Sequence, residues 1–160
     1  MVYGLDIEFN ESLFDKSYYK KVSAENFDFD VEFDVIFAAD IIEHLSNPGL
    51  FLQSCKKNLK SDGKIIICTP NCFNLFNIAA KFMHNEPIMN KDETCYFNSR
   101  SLKQLCRKNG LRVIRVDFLY TLGSIHKESF KKKILNIIYC LLSVVTEKYC
   151  ENVVVAVEVL

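Results

Sequence analysis

Apolar and polar positions along the chain fall into runs of two kinds. Phe33 to Ala39 and Lys64 to Cys68 are nearly continuous apolar segments rich in Val, Ile and Phe, without regular alternation. That pattern predicts strands buried on both faces, as in a parallel sheet between helices. Between them, Asn47 supplies an N-cap and Pro48 a first helical position, and Phe51, Leu52, Cys55 and Leu59 recur on one helical face. Ser61-Asp62-Gly63 is the predicted stop. Strand, helix and strand in that order predict a right-handed crossover unit. A second helix is predicted over Ser101 to Asn109, capped by Asn98 and ended at Gly110, with Leu102, Leu105 and Cys106 inward. Leu111 to Leu119 differs, because Arg112, Arg115 and Asp117 interleave with apolar residues as in a strand near an edge. A Val-rich run over Glu151 to Leu160 is the expected antiparallel mate. Short strands are predicted at Val2 to Ile7 and Tyr19 to Val22, a short helix through Leu13, Phe14 and Tyr18, and an apolar helix from Phe73 to Met83.

Composition narrows the class. The 160 residues fit one domain, 1–160, with a single core. Lys plus Arg and Asp plus Glu both number 20, so no net field favours nucleic acid. The seven cysteines are odd in number and form no Cys-x-x-Cys pair, which predicts reduced thiols in a cytoplasmic protein. Cys68 and Cys72 are separated by Pro70 and are not read as metal ligands. Asp28, Asp30, Glu32 and Asp34 read as an exposed acidic loop.

Open parallel sheets bind ligands beyond the carboxyl ends of their strands. Ala38 and Ala39 are small enough for a ligand to approach the backbone there, and Asp40, Glu43 and His44 are expected at the crevice mouth. Asp6, at the end of an earlier strand, either takes both hydroxyls of a ribose or caps a turn. His44 ionises near ~6.5 when unperturbed and is a candidate for proton removal, or else it caps or packs the following turn.

The stretch from Phe33 through Asp40 to Glu43-His44-Leu45 resembles the fourth-strand motif of class I S-adenosylmethionine-dependent methyltransferases, in particular the small-molecule subgroup with a Glu-His-Leu run. Lys64 to Asn71 resembles that subgroup's fifth strand with its Thr-Pro-Asn exit. Gly4-Leu5-Asp6-Ile7 resembles the end of the second strand, and Ser23-Ala24-Glu25-Asn26 the loop after the third. The resemblance covers Val2 to about Phe118. It implies an α/β, Rossmann-like, mostly parallel sheet with an antiparallel C-terminal hairpin, S-adenosylmethionine as cofactor, and methyl transfer to an oxygen or nitrogen of a small-molecule acceptor.

The resemblance also assigns residues. Asp6 binds the ribose; Ser23 stands where the family usually has an adenine-contacting aspartate, and brings a hydroxyl without charge. Ala24, Glu25, Ala38, Ala39 and Asp40 complete the cofactor side. By its own chemistry rather than the resemblance, His44 is the candidate catalytic base, with Glu43 orienting it or reaching the cofactor through water. The subgroup's histidine before the second predicted helix is replaced by Glu93-Thr94-Cys95-Tyr96-Phe97.

The family's first strand, first helix and Gly-x-Gly-x-Gly loop have no counterpart, since none of the five glycines forms a Gly-x-Gly. The expectation is a domain lacking its amino-terminal portion. Either the second family strand closes against the fourth, or a partner chain supplies the missing strand. A non-catalytic interaction module is the alternative class. Lys131-Lys132-Lys133 before Ile134 to Val145 reads as a covering helix or a membrane-surface contact, the twelve residues being fewer than the about 20 that span a bilayer.

Overall fold

The computed structural model describes residues 1–8, 18–75, 77–78, 81, 90–119 and 150–160. The predicted helix through Leu13 and Phe14, residues 76, 79, 80, 82 and 83 of that from Phe73 to Met83, the Ile134 to Val145 run, His84 and His126 lie outside these residues. The strands are β1 (Gly4–Asp6), β2 (Tyr19–Lys21), β3 (Phe33–Ala39), β4 (Leu59–Pro70), β5 (Leu111–Leu119) and β6 (Asn152–Val159); the helices are α1 (Pro48–Lys57) and α2 (Ser99–Lys108).

The apolar segments become neighbours as predicted. β3 lies parallel to β4, with Ile36 opposite Ile65 and Ala38 opposite Ile67. β6 is antiparallel to both β4 and β5, giving the order β3-β4-β6-β5 with β5 at the edge. Ile65, Ile67, Val153, Val155 and Val157 are fully buried, because alternate residues of the paired strands share one face. Phe51, Leu52 and Cys55 of α1 and Leu102 and Cys106 of α2 join the same cluster.

Both helices start on asparagine. The Asn47 side chain accepts from the N–H groups of Gly49 and Leu50, and Asn98 accepts from Arg100 and Ser101. The Ser101 hydroxyl in turn accepts from the Asn98 N–H at 3.0 Å. These bonds satisfy amides that the first helical turn leaves without partners. Gly110, at φ 72°, ends α2 in the left-handed conformation that glycine adopts freely.

Three expectations are corrected. α1 stops at Lys57 rather than at Ser61-Asp62-Gly63, because Asn58 turns inward: its side chain accepts from Phe29 N–H at 2.8 Å and donates to the carbonyls of Phe27 and Ser54. Residues 61–63 instead lie in β4, where the register jumps from Phe33–Leu59 to Val35–Lys64. A Cβ on Gly63 would stand 2.8 Å from the Phe33 carbonyl, so the irregularity needs glycine.

The second correction concerns β3, which is buried on one face only. Val35 and Phe37 are 53% and 66% exposed, since the described helices both pack on the other side of the sheet. The third concerns the edge of β3. β1 pairs with β2 in a separate two-stranded parallel sheet and does not close onto β3. Tyr3 packs edge-on against Phe29 and Phe33, so the two sheets start side by side. A cavity of about 410 Å³ separates them, walled by residues 1–5, 33 and 35–38 and completed by Ala24, Phe27, Phe29, Ile41 and Phe51.

Candidate active site

The end of β3 is where the chain departs most from regular geometry. Asp40 donates its N–H to the Cys68 carbonyl at 3.0 Å, then turns at φ 51°, a left-handed position that Asp tolerates better than bulkier residues. The following single turn, Ile42–His44, buries Ile42 and Glu43 and leaves His44 exposed. Glu43 goes inward and His44 outward.

Glu43 is 2% exposed and lies inside the molecule, not at the mouth where it was expected. Its Oε2 accepts from the Thr69 hydroxyl at 2.8 Å. Its main-chain carbonyl accepts from the N–H groups of Thr94 and Cys95 and from the Thr94 hydroxyl. Burial pushes the Glu43 carboxyl above its usual range, aided by the Asp40 charge, and bonds from its own N–H and from Thr69 only partly offset this. Thr69, at the end of β4, and Thr94 are the residues that the sequence left without a role. Thr69 stood in the recognised Thr-Pro-Asn exit, which was the signal available.

His44 is exposed, and its Nδ1 lies 2.9 Å from the Asp92 carbonyl oxygen. A carbonyl only accepts, so Nδ1 carries a proton and donates it to this bond. Glu43 and His44 therefore anchor the segment 92–95 to the end of β3 from two sides.

A pocket of about 380 Å³ opens beside Glu43, bounded also by Pro70, Cys72, Tyr96, Phe97 and Asn152. It lies at the carboxyl end of β4, where the exit Pro70-Asn71 meets the start of β6. Asn71 is 1% exposed and holds that corner: its N–H donates to the Glu151 carbonyl and its side chain to the Cys150 carbonyl. Burial raises the thiols of Cys68 and Cys72, with the Asp40 and Glu43 charges adding to the effect at Cys68. Both cysteines are free and suit neutral wall residues better than nucleophiles.

The remaining predicted residues lie around β1, β2 and β3. Asp6 is exposed at the end of β1, its Oδ1 accepting from the Glu8 N–H at 3.0 Å, so the turn-capping geometry is present. Ser23 is exposed and accepts from the Glu25 N–H; Ala24 is buried. Glu25 is committed to structure, its carboxylate accepting from the Asn47 N–H at 2.6 Å and its carbonyl from the Ser54 hydroxyl. Ala38 is 2% exposed and Ala39 half-buried. No cluster of potential metal ligands occurs among the described residues, and none of their helices is long and apolar enough to cross a membrane.

Comparison with known proteins places this architecture. A family model described as a methyltransferase domain matches residues 2–116. A ubiquinone biosynthesis O-methyltransferase of Nitrobacter winogradskyi is 33% identical over 69 residues, 41% of this chain and 26% of that protein. One from Glaesserella parasuis is 45% identical over 40 residues, 25% of this chain and 17% of its own. The matched stretches thus span about a quarter or less of these relatives. Among solved structures, an S-adenosylmethionine-dependent methyltransferase from Archaeoglobus fulgidus aligns over 97% of this chain and 74% of its own, with TM-score 0.61 at 16% identity. A Haloferax volcanii complex of the Trm112 methyltransferase activator with a methyltransferase aligns over 92% and 65%, with TM-score 0.63 at 11% identity. At such identities the structures speak for the fold.

Proposed function

The chain belongs to the class I S-adenosylmethionine-dependent methyltransferase family, and from that premise we propose that it serves methyl transfer to an oxygen or nitrogen atom of a small molecule. The observation that carries this reading is the pocket beside a buried carboxylate at the carboxyl end of β4, adjoining the parallel unit β3-α1-β4. That is the place where an open sheet of this kind accepts its ligands.

The residues fit the nucleoside half of the cofactor. Asp6 uses only Oδ1 in its turn and keeps Oδ2 for a ribose, Ser23 offers a hydroxyl on the adenine side, and the small side chains of Ala38 and Ala39 leave the backbone approachable. Bound there, the cofactor supplies an electrophilic methyl group on sulfur. The protein's own part is to hold the acceptor in line and to receive its proton. Glu43 borders the pocket, and its raised basicity equips it for that proton. His44 stands outside, placed to pass a proton on to solvent.

Isothermal titration with S-adenosylmethionine tests the reading, with Asp6→Ala as the comparison. Saturable binding weakened at least ~10-fold in the variant is expected for a lost pair of ribose hydrogen bonds, about 1.4 kcal/mol or more. A folded chain without binding would overturn activity of these 160 residues alone.

The cavity between β1 and β3 favours a second reading, a binding module completed by an extended segment. Its side-chain lining is apolar apart from the Tyr3 hydroxyl, and the facing edges of β1 and β3 have no strand partner among the described residues. Such edges recruit a strand readily. The segment is supplied either by further residues of a longer polypeptide or by a second chain, as the notion of a sheet-completing partner requires.

A further inference from the structure

Resting on the methyltransferase reading and deepening it, we propose that Thr69 is a positioning residue. Its buried hydroxyl holds the Glu43 carboxylate in the charged form that takes the acceptor's proton. β4 places alternate side chains on the face that carries the core, where Ile65 and Ile67 are fully buried, and Thr69 follows them at 0% exposure. Its partner across the sheet is Val153, another fully buried branched side chain. Packing here calls only for a branched apolar residue, and a buried hydroxyl is costly unless it is bonded. What threonine adds over valine is the bond from Oγ1 to Glu43 Oε2 at 2.8 Å.

Two bonds oppose the burial that favours a protonated Glu43, one from its own N–H and one from Thr69. The first belongs to the main chain, whereas the second depends on the choice of side chain at position 69. A hydroxyl donated to an ionised oxygen in a water-poor setting is a charge-assisted bond, stronger than the same bond to the neutral acid. Of the titratable groups on its own segment, the Asp40 charge favours the proton on Glu43 and His44 opposes it. Cys68 stands near it on β4. Glu93, Cys95 and Tyr96 face it across the pocket, with Cys72 and Glu151 beside them. All of these stay when Thr69 alone is changed, so a difference between variants at that position reads the hydroxyl.

The test follows the carboxyl carbon of Glu43 by NMR as pH is changed, in wild type, Thr69→Val and Thr69→Ser, with Glu43→Gln identifying the signal. S-adenosylhomocysteine is titrated calorimetrically into the same samples. Thr69→Val is expected to hold the Glu43 proton at least ~3-fold more tightly than wild type, the size of one lost hydrogen bond, so that Glu43 titrates at higher pH. Thr69→Ser keeps the donor and is expected within ~2-fold of wild type. An unmoved titration in Thr69→Val, or an equal movement in Thr69→Ser, overturns the proposal. S-adenosylhomocysteine binding with an unmoved titration leaves the methyltransferase reading standing and removes this one. A titration moved by valine and restored by serine, in a chain that binds no S-adenosylhomocysteine, overturns that reading and leaves the hold of Thr69 on Glu43 standing.

Discussion

Glu43 carries the main electrostatic liability among the described residues, and its sign can be worked out. Its carboxyl is raised in the folded chain by burial, so between the unfolded and folded values the native state binds a proton that the unfolded state has released. Stability is therefore greatest below the unfolded value of 4.5 and declines as pH rises through the higher folded one. Glu43→Gln keeps an acceptor for the Thr69 hydroxyl and removes the ionisation. The variant should melt at a higher temperature than wild type at pH 7.5, and the difference should vanish by pH 4; an advantage independent of pH would place the effect in packing instead. The same residue explains why the site was only half legible. The Glu43-His44 pair was readable as a motif, but not that one side chain turns inward onto Thr69 and the other outward onto Asp92. The cysteines follow their predicted role: burial pushes Cys106 up to about 11 and Cys55 further, and both remain neutral core residues.

At the scale of elements, end signals decided more than propensity did. α2 is polar over much of its surface, and Asn98 with Ser101 closes a reciprocal cap at its start. Asn98→Ala should cost about 1 kcal/mol, a fall of about 2–4 °C in Tm for a domain of this size, measured by thermal denaturation. No change would mean that packing of Leu102 and Cys106 alone holds the first turn. The end of α1 was misread because Ser-Asp-Gly is a stop signal in isolation, whereas Asn58 ends the helix through bonds to Phe27 and Phe29 about thirty positions earlier. Gly63 had a different task, passing close to the Phe33 carbonyl where β4 shifts register.

For the whole molecule, the open edge of β3 makes the sharpest prediction. Asp40 aims its N–H at β4, so by the two-residue alternation of a strand Ile36 and Ala38 do the same, and Val35 and Phe37 aim theirs at the cavity. Hydrogen exchange should be at least ~100-fold faster at Val35 and Phe37 than at Ile65 and Ile67 in the middle of the sheet. Equal protection would mean that the gap is closed in solution. An apolar strand that fills the cavity should slow those two amides selectively.

By itself the sequence determined the family, the kind and order of the strands, the two helix starts and the antiparallel close, because each is written in local patterns of apolar runs, caps and turn residues. Tertiary structure decided the rest: the inward turn of Glu43 onto a threonine 26 positions away, its anchoring of Thr94 51 positions away, the one-sided burial of β3, and the gap beside it. These depend on which distant groups meet when surfaces are buried, and no local pattern specifies that meeting.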